Sequence, residues 1–422
     1  MITIFMVEIK SITAYEILAS GGLPTIECRV ETSTGSVAVA SVSYGASAGS
    51  HEATVLSDGD KGRYGGKGVL GMCKTIQEVL APKLIGMNVF DQESIDKLMI
   101  DMDGTERKEK LGGNTILAVS MAVARAGAVE SKLELYEYLK KTYDLPNYDV
   151  LPKPMVVTIE GGAHADNSTD LQEYLLTVTH SNSVKENVRV VSEIYQATKK
   201  LLKSKGYSIN VGNEGAFVPE GISSNTLPLE ILNQAILDAG YEPGKDAYLS
   251  MDVAASEFYK DNVYTFDCEK RNLNSSELLA WYVELVKKFP IYSIEDLFAE
   301  DAWLDWSSGM QELGNKIIVM GDDLTVTNIQ RLRKAIEDKC INAILIKLNQ
   351  AGTVSETIAT CKFAKEHGLK VIPSHRGGGE SNDTFLADLA VAVGADFIKV
   401  AIARGERVAK YNRLMEIERQ LS

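Results

Sequence analysis

The sequence predicts an α/β protein: a modified (β/α)8 barrel of the TIM type, preceded by a small α+β cap domain. Three observations carry this. From about residue 155 onward, short apolar runs alternate with amphipathic helical patterns over ~270 residues, the rhythm of repeated βα units. Most of these runs end in a charged residue, at intervals of roughly 25 to 45 residues, about one βα unit each. The residues before them have a different rhythm, two-residue alternation followed by helical patterns. An open doubly wound sheet is the alternative for the alternating part. No GxGxxG follows a first strand and no GxxxxGK[ST] occurs, so nothing favours a nucleotide-binding fold.

In chain order, alternating runs at Ile4–Ile12 and Thr25–Thr32 flank the Gly21-Gly22-Leu23-Pro24 turn, and a third follows at Ser36–Val42; they predict a three-stranded meander. Helices are expected at Lys67–Leu84, Gln92–Met102 and Gly113–Ala128. The last is rich in Ala, Leu and Val and is expected to be buried on most sides. Pro146, Pro152 and Pro154 mark a linker, which sets the domains at residues 1–140 and 141–422. Barrel strands are expected at Met155–Ile159, Glu173–Val178, Ala247–Met251, Ile291–Ile294, Lys316–Met320, Ala343–Ile346, Val371–Pro373 and Phe397–Ile398. Helices between them include Ser276–Phe289, Asn328–Lys339 and Thr353–His367.

Composition limits the partners. Among 422 residues, 58 Asp and Glu exceed 44 Lys and Arg, for a net charge of -14. That balance disfavours nucleic acid and anionic membranes as main partners. It leaves room for a small anionic substrate, because a local cluster of cations or a metal reverses the field in one cleft. The five cysteines are scattered and form no CxxC pair, which fits reduced thiols in the cytoplasm. The opening segment has no basic n-region followed by an apolar core, so no signal peptide is expected. No apolar run approaches the ~18 residues of a membrane span.

The strand ends carry the chemistry. Ala247–Met251 runs into Asp252, Ile291–Ile294 into Glu295-Asp296, and Lys316–Met320 into Gly321-Asp322-Asp323. Ala343–Ile346 runs into Lys347, Val371–Pro373 into Ser374-His375-Arg376, and Phe397–Ile398 into Lys399. In a parallel barrel all these ends open on one face. Asp252, Glu295 and Asp322 form an oxygen-only donor set, which suits Mg2+ better than zinc. Lys347, Lys399, His375 and Arg376 supply cations for a small, multiply charged anion. A lysine crowded by cations and metal has its neutral form favoured and can serve as a base. A base paired with Mg2+ suits proton abstraction beside a carboxylate. A lone acid at a strand end is commonly just a helix cap, the plainer reading for Asp296 and Asp323. The small-residue loop Ser43–Gly49, before His51-Glu52, could close over a site, though an ordinary surface loop is the plainer reading. Gly377-Gly378-Gly379 could present backbone N–H groups to an anion or equally serve as a flexible connection.

Several stretches resemble the enolase family (phosphopyruvate hydratase): Ser293-Ile294-Glu295-Asp296, Gly321–Asn328, Ile346–Gln350, Ser374-His375-Arg376, Asp388-Leu389-Ala390, Ile398-Lys399, and Gly405-Glu406-Arg407 with Ala409–Asn412. So do Asp58–Lys61 with Gly66–Leu70, and Leu111–Asn114. The resemblance runs nearly end to end, in order. It implies dehydration of 2-phosphoglycerate to phosphoenolpyruvate, with Mg2+ at two positions, the second arriving with substrate. Asp252, Glu295 and Asp322 match the ligands of the first ion. Lys347 matches the base, Glu214 the acid that helps the 3-hydroxyl leave, and Glu173, after Gln172, its carboxylate partner. Lys399 and His375 match contacts to the substrate carboxylate and site, Arg376 a phosphate contact, His164 a loop histidine, and Ser47 a lid serine that reaches the second ion. Gln172 is placed with the substrate-binding residues. The pairing of Lys base and Mg2+ is itself a standard pattern of this superfamily. A homo-oligomer is implied as well.

The departures cluster around the substrate. Ala19–Thr25 stands where the family reads DSRGNPT, Glu160-Gly161-Gly162 where it reads Asn-Gly-Gly, and Gly212–Ala216 where it reads GDEGG. The lid is Tyr44–Gly49 in place of SGASTG. The phosphate loop is Arg376–Glu380 in place of RSGE, one residue longer and without its hydroxyl. Val400–Ala403 replaces TGAP. Loop changes at a barrel mouth are how such folds change substrate. The alternative is therefore a paralogue using the same base and metal on a related phospho- or phosphono-carboxylate. A protein that keeps the fold without catalysis is a third possibility, opposed by the complete catalytic set.

Overall fold

The computed structural model describes residues 6–45, 50–148, 150–165 and 168–422. Two compact units emerge: residues 1–149 with 346–362 and 375–394, and residues 150–345 with 363–374 and 395–422.

The first unit opens with the expected meander, β1 (Ile9–Leu18), β2 (Pro24–Thr32) and β3 (Val37–Ser41), antiparallel in the order β1-β2-β3. Ala14 pairs with Cys28 and Cys28 with Ala40, so small residues share one buried face. The helix Gly113–Ser131 covers that face. Every residue from Ile116 to Ala124 is buried, so this helix is core on all sides, as its composition predicts. Several motifs turn out to be structural clamps. Asp58 accepts the N–H groups of Leu70 and Gly71 at 2.9 and 2.8 Å, holding the start of the helical stretch 70–84. Asn114 makes a reciprocal pair with the Leu56 backbone, at 3.1 and 3.0 Å. The stretch 70–84 is not one α-helix: Ile76–Leu80 is wound as a π-turn between two α segments.

The second unit is built on an eight-stranded sheet of β4 (Lys153–Glu160), β5 (Glu173–Val178), β6 (Ala247–Asp252), β10 (Ile291–Glu295), β11 (Ile318–Gly321), β12 (Ala343–Ile346), β13 (Lys370–Pro373) and β14 (Phe397–Lys399). Between β6 and β10 lies a small antiparallel sheet of β7 (Tyr259–Lys260), β8 (Val263–Phe266) and β9 (Arg271–Leu273). The large sheet runs β13-β12-β11-β10-β6-β5-β4-β14, and a parallel bridge between Ser374 and Lys399 joins its ends into a barrel. Its interior is packed with Met155, Val157, Leu175, Met320, Leu345 and Ile372.

One expectation is corrected here. The barrel is not all parallel: β5 runs antiparallel to both β4 and β6. Among the described residues of the connection 161–172 there is one short 3-10 turn and no crossover helix, and β5 pairs antiparallel with β4. The consequence is functional. Because β5 is reversed, its first residue, Glu173, is the one that reaches the barrel mouth, paired with Glu160 at the end of β4 and with Asp252 at the end of β6.

Candidate active site

At the mouth end of the second unit, Glu160, Glu173, Glu214, Asp252, Glu295, Asp296 and Asp322 are all buried with one lysine, Lys399. Such crowding of acids is costly unless cations or protons offset it. Lys399 ends β14 and its Nζ lies 2.7 Å from Glu295, 2.9 Å from Glu173 and 3.1 Å from Asp252. Burial alone would lower its pKa, but Asp252, Glu173, Glu295 and Asp322 outweigh that and hold it well above the usual lysine value. Gln172 donates to Asp252 at 3.3 Å.

Three of these acids, Glu295, Glu173 and Asp296, are pushed towards their neutral forms. Burial, then the charge of Asp252, drives Glu295 well above the ordinary carboxylate range, and Asp322 adds to it. Burial and Glu214 push Glu173 up to about 8, with Lys399 opposing. Burial, Asp323 and Asp322 raise Asp296 likewise. Asp296 has two parts to play. Its oxygens accept the N–H groups of Asp322 and Asp323, both at 3.0 Å, in the turn that follows β11, so it ties down a turn and caps no helix there. They also lie within 4.8 Å of the donor oxygens of Asp252 and Glu295, and separately of Asp322 and Asp323.

These two overlapping groups fit a hard divalent cation. Every donor is an oxygen. Glu295 Oε1, fully buried, has no hydrogen-bond partner among the described residues, as expected of an atom meant for a ligand outside the protein. Sequence reasoning passes over Asp296 as a donor because an acid beside Glu295 reads as a cap.

Beside this group is a second one. His164 Nδ1 stands 3.8 Å from one oxygen each of Glu173 and Glu214, so the histidine bridges the two carboxylates. Glu214 sits in a tight turn, Gly212–Ala216, in which Gly212 N–H donates to Ala216 O at 3.0 Å. Gly215 adopts a φ of 87° with Arg404 Cγ 2.8 Å from where a Cβ would stand, so glycine is required there. Tyr195 Oη donates to Gly215 O at 2.9 Å and Arg404 to Asn213 O at 3.1 Å.

The remaining predicted residues belong to the first unit. Lys347 follows directly on β12, and His375 and Arg376 follow Ser374 beyond β13; all of these are buried or half-buried. The Arg376 guanidinium is ion-paired with buried Glu52 at 2.9 Å, and Gln350 donates to the same Glu52 oxygen at 3.2 Å. Glu52 is visible in the sequence only as a neighbour of the small-residue stretch 43–49. Gly45 gives Arg376 its room, since a Cβ there would stand 2.3 Å from the guanidinium. The triple-glycine loop packs tightly against the backbone of Tyr44. Tyr44 donates to Gly379 O at 2.7 Å, and a Cβ on Gly379 would meet Tyr44 O at 1.7 Å. Glu380 turns back to accept from Arg376 N–H at 2.8 Å and from Ser43 at 2.9 Å. Its own N–H donates to Ser20 in the altered 19–25 turn, at 2.9 Å. Ser47 lies outside the described residues.

A barrel with a reversed second strand gathers oxygen donors at its strand ends, with Lys399 among the acids, an arrangement that could hold a divalent cation. Comparison with known families makes the placement definite. Residues 9–139 match the model described as "Enolase, N-terminal domain", and residues 148–422 match "Enolase, C-terminal TIM barrel domain". The chain belongs to the enolase family.

Proposed function

We propose that the protein catalyses the Mg2+-dependent dehydration of 2-phosphoglycerate to phosphoenolpyruvate. One observation carries this furthest: acid–base carboxyls and an oxygen-only donor group share one barrel mouth, in a chain of this family. Asp252, Glu295 and Asp322 would hold the first ion, with Asp296 beside them; a second would enter with substrate. Bound Mg2+ would supply electrostatic stabilisation of the charge that builds on the substrate carboxylate. Lys347 removes the proton beside that carboxylate. Glu214, bridged through His164 to Glu173, gives a proton to the departing 3-hydroxyl. Glu173, neutral over much of the range below about 8, can return that proton. Lys399, His375, Arg376, Gln172 and Ser47 are assigned to binding substrate and closing over it.

The Glu52–Arg376 pair favours a second reading. Arg376 already has an anionic partner, so a substrate phosphate must share or displace it. A related phospho- or phosphono-carboxylate, differing at that group, is the alternative substrate. Five free cysteines accord with a reducing cytoplasm. Among the described residues no helix is long and apolar enough to cross a membrane. Self-association as a homo-oligomer is part of this reading and rests on the family resemblance. Purified protein with Mg2+ and 2-phosphoglycerate should develop the ultraviolet absorbance of the enol product. Folded, Mg2+-binding protein that shows none would refute the first reading, and turnover of a phosphono analogue alone would establish the second.

A further inference from the structure

One buried acid at the barrel mouth stands apart from this chemistry, namely Glu160, the last residue of β4. Its Oε1 accepts two backbone N–H groups from the acid-bearing turn, Glu214 N–H at 3.0 Å and Ala216 N–H at 2.9 Å. Its Oε2 is fully buried and has no hydrogen-bond partner among the described residues. That oxygen lies only 2.3 Å from where a Cβ on Gly212 would stand. The turn and the carboxyl are thus fitted to each other from both sides: two donors grip one oxygen, and a glycine makes space for the other. Titratable groups facing Glu160 are Glu214 on the turn, Glu173 on β5 and Tyr195 on the helix Val184–Ser204.

We propose that Glu160 is a positioning residue for Glu214: its carboxyl clamps the 212–216 turn through the Glu214 and Ala216 amides and so sets the direction in which Glu214 presents its proton. Glu160 touches backbone and no reacting atom, so it acts through Glu214. Tyr195 and Arg404 hold carbonyl groups of the same turn, whereas Glu160 holds the amide of the acid residue itself. Burial, then the charge of Glu214, pushes Glu160 up to about 8. A carboxyl that is largely neutral near pH 7 can sit beside Glu214 with little repulsion while its oxygen still accepts both amides. The positioning role rests on the proposed acid function of Glu214; the clamp does not.

The test uses the full chain as wild type, Glu160→Ala, Glu160→Gln and Gly212→Ala. Gly212→Ala leaves the carboxyl in the sequence but drives it off the turn. Amide hydrogen exchange is followed by NMR at Glu214 and Ala216. Glu160→Ala and Gly212→Ala should each speed exchange at both amides by about tenfold or more, the effect of losing a buried acceptor. Glu160→Gln keeps a carbonyl oxygen and should stay within about threefold of wild type. Unchanged exchange in both Ala variants overturns the clamp. With Mg2+ and 2-phosphoglycerate, solvent deuterium uptake at substrate C2 reports the base step, and product absorbance reports dehydration. Glu160→Ala should lose dehydration at least about tenfold more than C2 exchange, and Glu160→Gln should recover it. Equal loss of both rates, or loss of neither, overturns the positioning role. Wild type that neither exchanges C2 nor dehydrates would instead refute the function, with the amide result still deciding the clamp.

Discussion

Removing Lys399 offers the sharpest check on the site. Its ammonium is 2 % exposed and sits 2.7–3.1 Å from three carboxylates. At an effective dielectric of about 20, each such pair is worth about 5–6 kcal/mol before desolvation. Desolvation of the ions cancels most of that sum, and losing one partner of a buried pair typically costs about 3–5 kcal/mol. Lys399→Met nearly preserves volume, so cavity effects are small. We expect the metal-free variant at pH 8 to unfold about 6–20 °C below wild type, at ~2–4 °C per kcal/mol. Mg2+ should act in the opposite sense. Lys399 occupies oxygens of Asp252 and Glu295, two of the donors assigned to the first ion, and so competes with it. Calorimetric titration should therefore show tighter Mg2+ binding in Lys399→Met, and added Mg2+ should restore much of the lost thermal stability. A fall under about 2 °C, or weaker Mg2+ binding in the variant, would refute this account of the acid cluster.

Lys347→Ala should lower kcat for 2-phosphoglycerate by about 10²–10⁴-fold or more while sparing Mg2+ affinity; near-full turnover would show that the base lies elsewhere. Asp322→Asn should weaken Mg2+ binding by about tenfold or more, given that even outer partners of metal ligands cost about 10–100-fold, and unchanged affinity would remove Asp322 from the donor set. Glu160 sets a pH dependence. Folded, it keeps its proton up to about 8, while the unfolded chain releases it near the ordinary value of 4.5. Its stabilising contribution is then full below 4.5 and is lost as pH rises through about 8. Glu160→Gln titrates nothing there, so the midpoint difference, E160Q minus wild type, should grow from pH 5 to about 8.5, and a flat difference would contradict the raised value.

Much of this was legible from residues alone. All eight barrel strands appear where apolar runs of the right length are bounded by charge, because burial on both faces leaves a strand that signature. The helix Gly113–Ser131 was legible from its all-round apolar composition. The strand-end placement of Asp252, Glu295 and Asp322 was legible: Asp252 and Glu295 close β6 and β10, and Asp322 comes directly after β11. The place of Asp296 was less so: only the fold shows that its oxygens lie within 4.8 Å of donor oxygens of Asp252 and Glu295. The partnership of Glu52 with Arg376 spans 324 positions, and no local pattern carries it.

By itself the sequence determined the barrel, its cap and the kinds of groups gathered at strand ends, because periodicity and strand-end chemistry are local properties. The tertiary structure decided strand direction and pairing. Nothing in Glu173–Val178 tells which way the strand runs; its antiparallel pairing with β4 and β6 does, and that reversal brings Glu173 beside Asp252. Likewise Glu160 is only an extra carboxylate in sequence. Packing makes it the acceptor for the Glu214 turn, because a buried carboxyl must find donors and the nearest amides belong to that turn.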